Sequence, residues 1–71
     1  MAEQWEGMLE GAAQELKGHL TLDRVTANRG GDEITVFFSA DVLVEERPFL
    51  SMQRALRRNF APMRVKLIIR S

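Results

Sequence analysis

The chain has 71 residues, enough for one small domain, and its composition of 45% hydrophobic and 28% charged residues is that of a soluble globular protein. It contains no cysteine, which excludes disulfides and thiolate metal sites and favours a reducing compartment. No apolar run approaches the roughly 18 residues that a membrane helix needs. The acidic start, MAEQWEGMLE, lacks the basic residues and the apolar stretch of a signal peptide. We therefore expect a cytoplasmic protein that does not contact a membrane.

The formal net charge is zero, but the charges are unevenly distributed along the chain. Residues 1–46 contain ten acidic and three basic residues, a net charge of −7, whereas residues 47–71 contain seven basic residues and no acidic one, a net charge of +7. Such asymmetry predicts a surface with two oppositely charged poles.

The segment AEQWEGMLEGAAQELKG, residues 2–18, predicts a first helix. Its apolar residues recur with the 3.6-residue period and form one stripe, which consists of Trp5, Met8, Leu9, Ala12 and Leu16. Gly18 is expected to end this helix in a left-handed conformation. The internal Gly7 and Gly11 each cost the helix about 1 kcal/mol relative to alanine, and they would allow close approach to a neighbouring element.

The segment HLTLDRVTANRGGDEITVFFSA predicts a β-hairpin, because two runs rich in β-branched and aromatic residues flank Gly30–Gly31. The second run alternates, and its apolar face consists of Ile34, Val36, Phe38 and Ala40. Its other face consists of Thr35, Phe37 and Ser39. In the first run the alternation slips by one residue near Asp23–Arg24, which a β-bulge or an irregular strand start would explain.

A second helix, PFLSMQRALRRNF (residues 48–60), follows a short connection, with Pro48 at its first position. Its predicted buried stripe consists of Phe49, Met52, Ala55, Leu56 and Phe60. After Pro62 the segment MRVKLIIR predicts a last strand, with one face made of Val65, Leu67 and Ile69 and the other of Lys66, Ile68 and Arg70.

The predicted element order is therefore α-β-β-α-β. Two strands that flank a helix are usually parallel and joined by a right-handed crossover. We predict an α+β fold, a two-layer sandwich in which a three-stranded mixed sheet has both helices on its apolar face. The predicted core consists of Trp5, Leu9, Leu16, Phe38, Phe49, Leu56, Leu67 and Ile69.

Few residues could support catalysis. His19 is the sole histidine, and an imidazole without an orienting partner at a helix–strand junction is ordinarily a surface residue. The glutamates of the first helix are expected on its solvated face, and Glu45–Glu46 are expected at the N-terminus of the second helix. Gly30–Gly31 lacks the lysine and the helix start of a phosphate loop. We therefore predict no catalytic, metal, cofactor or small-molecule site in these residues.

A candidate interaction surface remains. Three arginines share one side of the second helix at i, i+3 and i+4, and two large apolar side chains, Phe37 and Ile68, lie on the face of the sheet opposite the helices. The complete candidate set for a partner or nucleic-acid surface is Arg54, Arg57, Arg58, Arg64, Lys66, Arg70, Phe37 and Ile68.

Three interpretations of this surface are open. An exposed apolar pair surrounded by charge is typical of a surface that docks on a partner protein or a neighbouring domain. An aromatic residue with basic neighbours on a small sheet is also one way to bind single-stranded nucleic acid, by stacking and phosphate neutralisation. The residues could also form an ordinary solvated surface. The acidic first half weakens purely electrostatic binding, which favours the protein contact over nucleic acid.

The α-β-β-α-β order resembles a shortened KH domain, of the type that has its extra helix and strand at the N-terminus. This resemblance implies nucleic-acid binding through a GxxG loop between two helices. Here RNFAPMR runs directly from helix to strand. The nucleic-acid site of KH domains is therefore not carried over.

A second resemblance rests on ITVFFSADVLVEERPFLSMQRALRRNF followed by VKLIIR, and it covers roughly residues 16–70. An aromatic-rich strand, an acidic-apolar loop, a helix with spaced Phe49, Gln53, Leu56 and Phe60, and a closing apolar strand resemble the first N-terminal domain of PolC-type DNA polymerase III. This is the replicative polymerase of Gram-positive bacteria of low G+C content. The domain is also similar to the polymerase-binding C-terminal domain of the clamp-loader subunit tau.

The resemblance to the PolC domain implies that residues 1–71 are a fragment, with the polymerase and 3′–5′ exonuclease activities after Ser71. We predict a single non-catalytic N-terminal module that contacts a replisome protein or a neighbouring domain of the same chain, with weak binding of single-stranded nucleic acid as a further expectation. The alternative is a free-standing small KH-like RNA-binding protein.

Overall fold

The computed structural model describes residues 4–71. In chain order it contains a first 3-10 helix (Gln4–Met8), a second 3-10 helix (Gly11–Leu16), strands β1 (Leu20–Ala27) and β2 (Glu33–Ala40), helix α1 (Glu46–Phe60) and strand β3 (Arg64–Arg70). The strands form one sheet in the order β1-β2-β3, antiparallel between β1 and β2 and parallel between β2 and β3. The predicted small α+β fold with a mixed three-stranded sheet is confirmed.

The N-terminal segment forms two short 3-10 helices where the sequence predicts one α-helix; residues 2 and 3 of that prediction lie outside the described part of the chain. The break falls at Glu10, which is extended (φ −144°, ψ 168°), and at Gly11, whose φ of +60° favours glycine. Hydrogen bonds of the 3-10 type close the turns, such as Leu9 N–H to Glu6 O at 3.1 Å. A left-handed Gly11 thus divides the segment, and Gly18, with φ +80°, ends it as expected.

Strands β1 and β2 form the predicted hairpin. Its turn closes with Gly31 N–H donating to Asn28 O at 3.1 Å, and Gly31 has a φ of +70°. The register shifts between Leu22 and Arg24, which confirms the β-bulge. Beyond the bulge Arg24 is the Cα partner of Phe37, so both side chains are on the same face of the sheet.

The 3-10 helices and α1 pack on the other face of the sheet. The buried hydrophobic core consists of Leu9, Ala13, Leu16, Leu20, Ile34, Val36, Phe38, Met52, Ala55, Leu56, Val65 and Leu67. Trp5 joins the N-terminal segment to the sheet, because its ring packs edge-on against Phe38 with centroids 4.8 Å apart. Of the predicted core, five residues are buried, and Trp5, Phe49 and Ile69 are partly buried against it.

Two positions differ from the predicted burial, and one further apolar residue is exposed. Ala13, not Ala12, is the fully buried alanine of the N-terminal segment, because a 3-10 turn shifts the inward face relative to an α-helix. Phe60, predicted in the buried stripe of α1, is 41% exposed, since it is the last residue of the helix and no further turn covers it. Val25 is 50% exposed because β1 is an edge strand, most of which lies outside the helical layer.

A hydrogen-bond network fixes the hairpin loop to the start of β3. Asn28 Nδ2 donates to Asp32 Oδ1 at 2.6 Å, and Asn28 Oδ1 accepts from the Asp32 and Glu33 N–H groups at 3.2 Å. Arg64 N–H donates to Asp32 O at 2.9 Å, and its guanidinium lies 3.4 Å from Asp32 Oδ2. The Asn28 amide, then the Asp32 backbone N–H, then the Arg64 charge hold the pKa of Asp32 below 3.8.

We expect Asn28→Ala to raise the pKa of Asp32 toward 3.8, and Arg64→Ala to raise it less, because the amide hydrogen bond has the larger effect. A carboxylate whose pKa is depressed by folding stabilises the fold above its unfolded pKa, and that stabilisation is lost as the pH falls through the folded pKa. Carboxyl ¹³C NMR titration of the three proteins measures the pKa values. A larger rise in Arg64→Ala would contradict this order.

Candidate interaction surface

The face of the sheet opposite the helical layer has one row of three side chains across its centre. Arg24 of β1, Phe37 of β2 and Ile68 of β3 are Cα partners in the register. Thr35 and Lys66 are partners in the next row toward one end, and Ser39 and Arg70 are partners toward the other. We call this surface the open sheet face, which consists of Asp23, Arg24, Thr35, Phe37, Ser39, Lys66, Ile68 and Arg70.

The β-bulge brings two charged residues, Asp23 and Arg24, to the open sheet face. The guanidinium carbon of Arg24 lies 4.4 Å from the centroid of the Phe37 ring, a cation–π contact. Beside it, Ser39 Oγ donates to Asp23 Oδ2 at 2.6 Å. The guanidinium covers part of the ring, which explains why Phe37 is half-buried on a face without a helix.

Strand residues alone line an open depression of about 360 Å³ on this face, within the described part of the chain: Asp23, Arg24, Phe37, Ile68 and Arg70. The sequence predicts Phe37 and Ile68 on a face that the helices do not cover, and the structure places both there. Each of the two side chains is half-buried. The depression has an apolar floor and charged margins.

Arg24 belongs to this surface although the sequence does not predict it there. Its position opposite Phe37 depends on the bulge, since without the extra residue in β1 it would lie on the other face. The slip in alternation near Asp23–Arg24 is the available signal. If the alternation of β1 is continued across that slip without a bulge, it places Arg24 on the face of the sheet that the helices cover.

Basic side chains outnumber acidic ones on this side of the sheet. Lys66 and Arg70 are exposed, and no ion pair within residues 4–71 involves either of them. Arg64 is the Cα partner of Glu33 and forms an exposed ion pair with Asp32. The positive potential of the open sheet face therefore arises mainly from Lys66 and Arg70, with Asp23 offsetting Arg24.

The arginines of α1 lie in the other layer of the sandwich. Arg54, Arg57 and Arg58 are exposed on the outer side of the helix, and Arg58 forms an ion pair with Glu10. Both partners of that pair are more than half exposed, so it contributes little stability. The helix and the open sheet face point in opposite directions. The candidate residues thus belong to two separate surfaces, one on each layer.

Arg64 lies between these two surfaces. It lines a depression with Arg57 of α1 at the end of the molecule where β3 begins. Because Arg64 and Lys66 are two positions apart in β3 and share a face, Arg64 adjoins the open sheet face as well as Arg57.

His19 has a partner that the sequence does not predict. Its Nδ1 lies 2.8 Å from Asp41 Oδ1, and Asp41 N–H donates to His19 O at 3.1 Å. Strand pairing brings these two residues together although they are 22 positions apart. The two side chains are 45% and 70% exposed, and we attribute to the pair a role in joining the ends of β1 and β2. Within residues 4–71 no three His, Asp or Glu side chains are grouped so as to hold a metal ion.

The architecture defines a small α+β domain with a three-stranded mixed sheet and one main helix. No helix in residues 4–71 is both long enough and apolar enough to cross a bilayer. No protein-family model matches the chain, and no curated protein or solved structure is significantly similar to it. The resemblances to the PolC and KH domains therefore stay predictions from the sequence.

Proposed function

We propose that this chain is a non-catalytic interaction domain that contacts another protein, or a neighbouring domain of the same protein, through its open sheet face. The observation that supports this proposal is the Arg24–Phe37–Ile68 row, in which two large apolar side chains lie side by side on a face without a helix. Lys66 and Arg70 border the row. An apolar centre with a polar margin is the composition of protein interfaces, and aromatic and arginine residues are enriched at their hot spots.

We place the partner in the bacterial replication machinery, on the basis of the resemblance to the first N-terminal domain of PolC-type polymerases. In that setting the protein is cytoplasmic, the partner is a replisome protein or an adjoining domain, and the polymerase and exonuclease activities reside outside these residues. The nucleotide sequence of the reading frame beyond Ser71 tests whether these residues belong to such a polymerase. Continuation into exonuclease and polymerase motifs would support it, and a stop codon directly after Ser71 would exclude it.

A second candidate function is weak binding of single-stranded nucleic acid on the same face. The position of Arg24 over the Phe37 ring favours it, because a base could stack in the place of the guanidinium while Lys66 and Arg70 neutralise phosphates. If no polymerase follows these residues, this second candidate corresponds to the free-standing small RNA-binding protein.

We expect the double variant Phe37→Ala/Ile68→Ala to weaken binding to the replisome partner by at least about tenfold while the protein stays folded, because the two side chains form the apolar centre of the face. The experiment measures binding of the 71-residue chain to purified clamp, clamp-loader subunits and polymerase without this domain, by isothermal titration calorimetry. A Kd on the order of micromolar is expected, since the apolar centre of the face consists of only two large side chains.

The matched control is Arg54→Ala/Arg57→Ala, which changes two exposed residues in the other layer and is expected to bind the partner normally. Equal weakening in both double variants would contradict the proposal. Labelled single-stranded DNA, titrated with salt and followed by fluorescence anisotropy, tests the second candidate. Salt-sensitive DNA binding that Phe37→Ala abolishes, in a chain that binds none of the proteins, would replace the first candidate with the second.

A further inference from the structure

The outer side of α1 has a strip of arginines that the proposed function does not use. On a helix of 3.6 residues per turn, five exposed residues fall within an arc of about 100°, opposite the buried side of the helix. We call this surface the arginine strip, which consists of Arg47, Leu50, Arg54, Arg57 and Arg58.

The strip is continuous along the helix. Arg54 and Leu50 line one depression with Arg47 and a second with Arg57, and Arg54 lines a third with Arg58. The N-terminal segment borders the strip at Glu10, Gly11 and Ala12, and the Glu10 side chain forms an ion pair with Arg58. The other four residues of the strip, Arg47, Leu50, Arg54 and Arg57, are exposed within the described part of the chain.

The charge of the strip is largely uncompensated. Arg58 is paired with Glu10, whereas no ion pair within residues 4–71 involves Arg47, Arg54 or Arg57. After Glu46, at the first turn, α1 contains no acidic residue. Although the formal net charge of the whole chain is zero, this side of the helix presents a concentrated positive charge to a ligand.

We propose that the arginine strip binds the phosphate backbone of duplex DNA without reading its sequence. Arg47 and Arg57 are ten positions apart, which corresponds to about 15 Å along a helix. One strand of a duplex has a phosphate about every 3.4 Å along the axis, so about four phosphates lie within that length. Guanidinium groups form bidentate hydrogen bonds with phosphate oxygens, and such contacts position a protein on DNA without sequence preference.

The composition of the strip favours a duplex over other anionic ligands. It contains no aromatic side chain on which an unpaired base could stack, and stacking is what single-strand binding relies on. Leu50, 43% exposed, is its one apolar member, whereas a helix that binds an anionic membrane has a broad apolar face to insert. The arginine strip and the open sheet face lie on opposite layers, so this inference is independent of the proposed function.

The test compares two triple variants of the 71-residue chain that each remove three positive charges. Arg47→Gln/Arg54→Gln/Arg57→Gln changes the arginine strip, and Arg24→Gln/Lys66→Gln/Arg70→Gln changes the open sheet face. Binding to a fluorescein-labelled duplex of about 20 base pairs is measured by anisotropy at several salt concentrations, and circular dichroism melting checks that both variants fold. For the unaltered chain we expect a Kd on the order of 10 µM at low salt, tighter than at physiological salt because the contacts are electrostatic.

The strip variant is expected to bind at least about tenfold more weakly, and its slope of log K against log salt is expected to fall by about 2.7, or about 0.9 for each lost phosphate contact. The sheet variant is expected to retain its affinity within about threefold, and a duplex of scrambled sequence to bind equally well. Equal weakening in the two triple variants would overturn the proposal, because total charge rather than the strip would then govern binding. Absence of binding at low salt would also overturn it, as would binding to phosphatidylserine vesicles but not to the duplex.

Discussion

Phe38→Ala is expected to remove a large part of the protein's free energy of unfolding, whereas Phe37→Ala is expected to remove a much smaller part of it. The two phenylalanines are adjacent in β2 and point to opposite faces of the sheet. Phe38 is 1% exposed and packs against Trp5. Its truncation leaves a cavity in the core, which costs about 3–5 kcal/mol. A domain of this length has a total stability of about 4–10 kcal/mol, so a large part of it is lost.

Phe37→Ala removes a half-buried ring and its contact with Arg24, and we expect a loss of about 1–2 kcal/mol from the two effects together. Urea denaturation followed by the fluorescence of Trp5, the sole tryptophan, measures both variants. Comparison of the two variants thus distinguishes Phe38, which stabilises the fold, from Phe37, which is available for binding. Similar losses of unfolding free energy in the two variants would mean that Phe37, on the open sheet face, is packed like a core residue.

Gly11→Ala and Gly7→Ala are expected to change stability in opposite directions. Gly11 has a φ of +60°, and an added Cβ would lie 3.3 Å from Ser51 Oγ, which donates a hydrogen bond to Glu10 O at 2.7 Å. The left-handed conformation costs an alanine about 1–2 kcal/mol, and the hydroxyl must move as well. We expect Gly11→Ala to destabilise the protein by about 2 kcal/mol.

Gly7 is the matched control within the same segment. Its φ is not positive, and apart from its chain neighbours and the backbone of its own helix no atom of residues 4–71 lies within 4 Å of the position that an alanine Cβ would take, so alanine fits without strain. Because alanine restricts the unfolded chain more than glycine does, Gly7→Ala is expected to stabilise the protein by about 0.4–1 kcal/mol. Urea midpoints of both variants test the contrast. Destabilisation of similar size at both positions would show that the close approach of α1 at Gly11 is not the cause.

A Ser51 variant makes it possible to separate the two contributions to the cost of Gly11→Ala, that of the backbone conformation and that of the contact with the Ser51 hydroxyl. In a Ser51→Ala background the hydroxyl next to position 11 is absent, so Gly11→Ala should cost less than it does in the unaltered chain. The remaining cost would be that of the left-handed backbone alone. An unchanged cost would assign the whole effect to the backbone conformation and none to the contact with α1.

The two proposed surfaces have a common structural basis. A single sheet separates the open sheet face from the layer that contains α1, so a protein partner on one side and a duplex on the other could be bound at the same time. The variants that remove the proposed contacts, Phe37→Ala/Ile68→Ala on one face and Arg47→Gln/Arg54→Gln/Arg57→Gln on the other, share no residue, so failure of one proposal does not decide the other. Arg64, which adjoins both groups, is left unchanged in both DNA-binding variants for this reason.

The hairpin, α1 and β3 are predictable from the residues of each segment, because their signals are local. Strand alternation, the 3.6-residue period of α1 and a glycine in a positive-φ turn depend on neighbouring residues, and each is confirmed to within a few residues. The alternation of β2 and β3 also places Phe37 and Ile68 on one face. Even the bulge has a local signal, a slip in the pattern of β1.

The strand order, the division of the N-terminal segment and the distribution of the arginines depend instead on tertiary packing. The hydrogen bond of Ser51 to Glu10, the pairing of Arg24 with Phe37 and that of His19 with Asp41 each join residues distant in the chain. Such contacts depend on register and layer packing, about which local periodicity carries no information. For the same reason, the seven basic residues of positions 47–71, a segment without an acidic residue, are divided between opposite layers, since a helix and the strand after it project their exposed side chains in different directions.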